Sequence, residues 1–329
     1  MPTIPWDFCR FWMRFYTIGL PDVRQPRRAG KTAPVPLVTA PPAVGRFAVM
    51  APALTAAASF SVADILLKVI YASGMDVLTL VSLRGVIVVA FFWGWLRMAP
   101  PARWHSKRQR NVAIGLGVLF AMTIYGLLKA VALLPVSIAI LAYFIYPLLT
   151  GIAGAVTGVD RLGWRALLTA AVAFFGLALM LGQQIGDLSI AGLGFAFAAA
   201  IFRVASLLGT RAWLSGTDAR VTTWYSMVPS TILFLGAAAI AGEWNLPTVA
   251  WGWVAFFGAA ITTTASTLLI YMSTNTVGPF RTALAMNLEP LLTVIFSMIL
   301  LGEVLTVVQL VGAAVMIGAL CAFQFVRAR

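Results

Sequence analysis

Asp64, Lys68, Arg84, Arg203 and Glu289 sit inside stretches apolar enough to cross a bilayer, and Lys129 stands at the end of another. A charged group in hydrocarbon is costly unless it is paired, protonated or turned to a water-filled cavity, so each is a candidate for binding or coupling. Glu289 is followed at once by Pro290. Its carboxyl is suited to load and release a proton as its surroundings change, or else to steady a break in the helix or pair with a cation. Arg203 has no acid on its own segment, which makes Glu289 its expected partner. Asp64 and Lys68 stand four residues apart, acid first, on one helix face. They form either an internal ion couple or a site at which Lys68 attracts a carboxylate or phosphate. Arg84 lies too deep to snorkel without strain, so a partner or a cavity is expected for it. Tyr125, Tyr146, Trp224, Tyr271 and Asn287 are candidate lining residues.

The elements that position these groups follow from prolines and repeats. Pro290 lacks a backbone donor and clashes with the preceding turn, so its helix should kink or loosen. A shift of 143 residues aligns Tyr146-Pro147-Leu148-Leu149-Thr150 with Glu289-Pro290-Leu291-Leu292-Thr293, and Asp160 with Glu303. At an offset of 142, Ser73-Gly74-Met75-Asp76 answers Ser215-Gly216-Thr217-Asp218. Two proline-broken spans in matching positions point to a transporter-type duplication, with Pro147 and Pro290 as hinges. Ten spans are expected near 47–72, 76–96, 111–130, 135–157, 162–182, 189–214, 219–241, 249–274, 279–301 and 304–326. Each is close to the ~20 residues that a ~30 Å core requires. The expected fold is an all-α membrane protein of ten transmembrane helices in two five-helix repeats, 47–182 and 189–326. Five is odd, so the repeats are inverted and place the ligand site between them near the midplane. Asp160 and Glu303 open spans, where a carboxylate suits the positive helix end.

Composition agrees. Of 329 residues, 61% are apolar and 10% charged, against about 45–50% and about 25% in soluble domains. The formal net charge of +13 comes from residues clustered between apolar runs, which reads as a topology signal and not a nucleic-acid surface. On ten spans, the basic residues gather on the side of the N-terminal tail, the even-numbered connections and the C-terminus, so both termini are expected in the cytoplasm of a bacterial-type inner membrane. Residues 1–46, rich in Pro and Arg, read as a disordered cytoplasmic tail that touches anionic lipid, or as sequence upstream of a start at Met50. His105 lies in the basic run 103–108 and reads as an exposed loop residue. Cys9 and Cys321 form neither a metal spacing nor a disulfide framework. No phosphate-binding Gly-x-x-x-x-Gly-Lys loop is present, and no cofactor is implied. A hydrolase would need a nucleophile with a base, or clustered metal ligands, and the sequence supplies neither constellation.

Leu288-Glu289-Pro290, Leu301-Gly302-Glu303, Gln309 and Gly312, with Arg84, Tyr146-Pro147, Asp160, Leu162 and Gly176 in the first half, resemble the drug/metabolite transporter superfamily, and within it the EamA-type members. The resemblance runs from about residue 50 to the end. The first half departs from it, with Asp160 where a Gly-Glu pair is usual and Tyr146 where the second half has Glu289. It implies a secondary, ATP-independent exporter of small organic metabolites, amino acids or drug-like compounds, working by alternating access with or without proton coupling. Uptake or exchange of an anionic metabolite or cofactor, and a membrane interaction role without transport, are the alternatives. The expected partners are a small molecule, the bilayer and protons, with no nucleic acid, and the oligomeric state is left open between monomer and homodimer.

Overall fold

The structure, a computed structural model, describes residues 46–101, 103–160, 163–181, 189–242, 244–301 and 306–325. The expected tail at 1–45 and Cys9 lie outside these residues, as do Leu162, Gly302 and Glu303. The first half comprises α1 (Arg46–Ala72), α2 (Val77–Met98), α3 (Lys107–Leu133), α4 (Val136–Tyr143), α5 (Tyr146–Thr157) and α6 (Trp164–Leu181). The second comprises α7 (Ile190–Trp213), α8 (Ala219–Ala241), α9 (Ala250–Thr276), α10 (Pro279–Ala285), α11 (Leu288–Leu301) and α12 (Val307–Phe325). No strand occurs among the described residues. Among the described residues, with α4–α5 and α10–α11 each counted as one span, nine segments are long and apolar enough to cross a membrane, and α12 adds a shorter apolar tenth.

Local chemistry sets the ends. Asp76 caps α2 through the Thr79 amide, and Ser106 and Gln109 form a capping box on α3. Thr306 and Gln309 exchange the same bonds ahead of α12. Leu134 closes α3 and Pro135 starts α4, which fixes the least distinct span boundary. The two proline-broken spans part at Phe144–Ile145 and Met286–Asn287, upstream of Pro147 and Pro290. A proline deprives the carbonyl four residues earlier of its helical donor, here that of Tyr143 and of Met286. The Met286 carbonyl instead accepts from the Glu289 amide at 3.0 Å, a tighter turn. Pro52 and Pro229 lie within α1 and α8, which continue past them.

The helix pairs are α1 with α9, α3 with α7, α6 with α12 and α2 with α8, and α11 also packs on α1. Exchanging the halves turns the first pair into the second and leaves the other two unchanged. Glycines permit the close crossings: a Cβ on Gly117 would collide with the Ser226 carbonyl of α8, and one on Gly126 would stand 3.0 Å from the Phe195 carbonyl of α7.

Connections meet at two ends. At one, Asp76 accepts from the Asn245 amide at 3.0 Å and Thr248 donates to the Ser73 carbonyl at 2.9 Å. At the other, the buried Arg220 pairs with Asp218 at 2.7 Å and donates to the Ala99 carbonyl. His105 Nε2 lies 2.9 Å from Thr222 Oγ1, with its ring 5.8 Å from that of Tyr225. His105 is thus half-buried against α8, not freely exposed as the sequence suggests. Burial holds its imidazole pKa below the usual value, against a smaller opposing pull from Asp218. A histidine with a depressed folded pKa is bound to fewer protons in the native state, so stability is lost as pH falls through about 6.5, the unfolded value. The thermal midpoint in detergent should therefore drop between about pH 7.5 and pH 5.5, and His105→Gln should flatten that slope; an unchanged slope would reject the linkage.

Candidate functional site

The breaks in the two proline spans bring the central polar groups together. The largest apolar cluster joins Tyr146, Phe280, Leu284, Met286 and Leu291 from both breaks with Val204 and Leu207 of α7. Into this cluster α7 delivers Arg203, whose guanidinium carbon stands 5.8 Å from the centre of the Tyr146 ring. The Tyr143 and Tyr146 rings are 5.2 Å apart. Glu289, at the start of α11, and Tyr271, on α9, complete the charged and phenolic groups within electrostatic reach of Arg203.

Glu289 is equally placed toward Asp64 of α1. Among the described residues no ion pair within 4 Å joins Glu289 to Arg203, so the expected partnership is one of proximity, with the arginine lying over an aromatic ring. The Glu289 carbonyl accepts from Ser61 at 2.8 Å and Thr293 at 2.9 Å. Thr293 also lies 2.9 Å from Asp64 Oδ2. Lys68 donates to Ser297 at 3.3 Å. The acid and base that share a face of α1 thus both reach hydroxyls on α11. Arg84, on α2, lies within electrostatic reach of Asp64 and Tyr71. The five ionisable groups form one row, Arg84–Asp64–Glu289–Arg203 with Lys68 beside it, carried by α2, α1, α11 and α7.

Of the lining candidates, Tyr146, Tyr271 and Asn287 are buried in or beside this row. Tyr125 is not: it is 46% exposed on the outer face of α3, with Lys129 5.9 Å above its ring. Trp224 packs on Tyr225 at 4.9 Å and borders a lateral groove of about 280 Å³ between α2 and α8, also lined by Val86, Trp93 and Thr231. Those two aromatics were selected by type, and a half-turn of helix puts them elsewhere. Ser61, Thr293 and Ser297 were missed. Thr293 carried a signal, standing four residues after Glu289 on the same helical face.

A cavity of about 20 Å³ adjoins Arg203, bounded by Phe60, Ser206, Thr267 and Tyr271. That is room for about one water. Three buried polar atoms nearby make no hydrogen bond: Arg203 Nε, Ser206 Oγ and Asn287 Oδ1. Each such atom costs about 1–3 kcal/mol, an outlay that a bound polar ligand would offset. Arg203 and Ser206 of α7 line that cavity, and Asn287 lies in the break before α11. Among the described residues no three His, Cys, Asp or Glu side chains cluster as metal ligands would.

Comparison with known proteins places this arrangement in context. The model of the EamA-like transporter family matches residues 190–323, the second half of the chain. The threonine/homoserine exporter RhtA of Escherichia coli strain K12 is 30% identical over 264 residues, covering 79% of this chain and 84% of its own. The threonine/homoserine exporter RhtA of Salmonella typhimurium strain SL1344 is 29% identical over 266 residues with the same coverage. A solved crystal structure 16% identical in sequence superposes with a TM-score of 0.71 over 84% of this chain and 98% of that chain, which shows the shared fold.

Proposed function

This chain belongs to the EamA-like transporter family, within the drug/metabolite transporter superfamily, and from that premise we propose that it exports small zwitterionic amino acids of the threonine and homoserine kind. The observation that carries this reading is the proximity of a cation and a carboxylate, Arg203 and Glu289, at the junction of two broken spans, with Arg203 Nε and Asn287 Oδ1 making no hydrogen bond among the described residues. A zwitterion presents the complementary groups: a carboxylate for the guanidinium fork and an ammonium for Glu289 and the Asn287 oxygen. Glu289 then holds the ammonium and a proton in turn, which couples export to the proton gradient. The cycle runs by alternating access between two inverted repeats, 47–182 and 189–326. Exchanging the halves turns α1–α9 into α3–α7 and leaves α2–α8 and α6–α12 in place, which supports that relation, while the α3–α8 packing has no equal counterpart between α9 and α2. The arginine-bearing connections are assigned to the cytoplasm of the inner membrane.

Counterflow in proteoliposomes tests the substrate class. Preloaded threonine should drive uptake of labelled threonine, homoserine should compete, and citrate or phosphate should not. A second reading, exchange of an anionic metabolite, is motivated by the three intramembrane bases Lys68, Arg84 and Arg203 against the two acids Asp64 and Glu289. Competition by di- and trivalent anions with none by threonine would favour it. No counterflow with any of these would reject both transport readings.

A further inference from the structure

We propose that Asp160 is a gate residue, holding the first half of the second broken span closed on the first repeat at the arginine-rich end of the molecule. This inference rests on the transport reading above and adds which contact sets the direction of access.

The two broken spans meet asymmetrically. The half-helices α5 and α10 pack together, whereas α4 and α11, the opposite pair, make no comparable contact among the described residues. Tyr146, Phe280, Thr282 and Met286 are buried, while Tyr143, Asp64, Glu289 and Thr293 are each partly accessible. The two broken spans are therefore fastened to each other at the α5–α10 end and not at the α4–α11 end.

Asp160 sits where that end is fastened. The chain leaves α5 through Gly158 in the left-handed conformation, and the Asp160 amide donates back to the Gly154 carbonyl at 3.1 Å. That turn brings the carboxylate over the start of α10, where the Phe280 amide donates to Oδ2 at 3.4 Å. Gly278, at φ +95°, clears the approach: a Cβ there would be 3.1 Å from the same oxygen. The Phe280 ring is fully buried, edge-on to Phe323 at 5.6 Å, and so close to Gly151 that a Cβ on that glycine would be 2.7 Å from it. The carboxylate thus accepts a charge-assisted bond from one first-turn amide of α10, linking the two repeats across 120 residues of sequence at the point where they must separate for the other side to open.

The test uses the full chain with Cys9 and Cys321 replaced by serine and Thr293→Cys as reporter. Its rate of reaction with a membrane-impermeant thiosulfonate is read from each face, in right-side-out and inside-out vesicles. Thr293→Cys should react from the face opposite the arginine-rich connections. Asp160→Ala should raise the rate from the arginine-rich face about tenfold or more, the weight of one charge-assisted bond, and slow the other. Asp160→Glu should retain the parent pattern. Phe280→Ala, which empties the seat without touching the charge, should shift access the same way. Rates for Asp160→Ala within twofold of the parent on both faces would overturn the proposal, as would a parent reporter that reacts only from the arginine-rich face. Labelling needs no substrate, and threonine transport is measured in chains that keep Thr293, so a shift without threonine transport upholds the gate and rejects the transport reading, while unchanged labelling with intact transport does the reverse.

Discussion

Arg203→Ala is expected to reduce threonine transport by about 100-fold or more while leaving the protein folded in detergent. Without the guanidinium the substrate carboxylate is left in the site with no partner, and truncating one partner of a buried charge pair costs about 2–5 kcal/mol, which is about 30-fold to several thousand-fold in a rate or affinity. Arg203 is well placed to show the upper part of that range. It lies at the junction of the broken spans, its Nε has no acceptor among the described residues, and its guanidinium rests on the Tyr146 ring. Lysine keeps the charge and loses the planar fork and the stacking, so Arg203→Lys should recover little. Glu289→Gln preserves volume and removes the ionisable group, and it should abolish transport driven by an imposed pH gradient. Initial rates in proteoliposomes, with and without that gradient, measure both. Transport in Arg203→Ala within about threefold of the parent would remove it from the site. Full gradient-driven activity in Glu289→Gln would reject Glu289 as the coupling group.

The placement of these residues was legible in the sequence to different depths, for physical reasons. Span positions were readable because the length of an apolar run is a local property set by bilayer thickness. The breaks were readable as well, yet they lie at Phe144–Ile145 and Met286–Asn287 because a proline acts on the carbonyl four residues before it. Arg203 and Glu289 announced themselves by the cost of burying charge, and the structure brings them to one junction. What sequence spacing could not supply was rotation about each helix axis. That rotation turns Tyr125 outward, sends Trp224 to a lateral groove, and gives Asp64 and Lys68 separate hydroxyl partners on α11. The Phe280 seat on Gly151 was invisible for the same reason: a glycine in an apolar run reads only as permission for close approach until its neighbour is known.

Where that neighbour is backbone, the permission becomes a requirement, and Gly176 on α6 joins Gly117 among the glycines least able to change. A Cβ there would stand 2.7 Å from the Met316 amide nitrogen and 2.8 Å from the Gly312 carbonyl oxygen of α12. Reciprocally, a Cβ on Gly312 would be 2.6 Å from the Gly176 carbonyl. Neither clash can be relieved by turning a side chain, so the helices must move apart. That separation opens the stripe formed by Ala166, Ala170, Ala173, Leu177 and Met180, the whole buried face of α6. In a bilayer no hydrophobic force restores the pair, because lipid tails compete equally for apolar surface. Gly176→Ala should cost about 1–3 kcal/mol, the usual range for overpacking, and Gly176→Leu should eliminate the monodisperse peak in detergent. Gly318→Ala, on the same α12 but with nothing within 4 Å of its Cβ, is the matched control and should be neutral or stabilising. Size-exclusion profiles after graded heating separate the three. A Gly176→Leu protein with the parent's thermal midpoint would mean that α6 and α12 do not cross at these glycines.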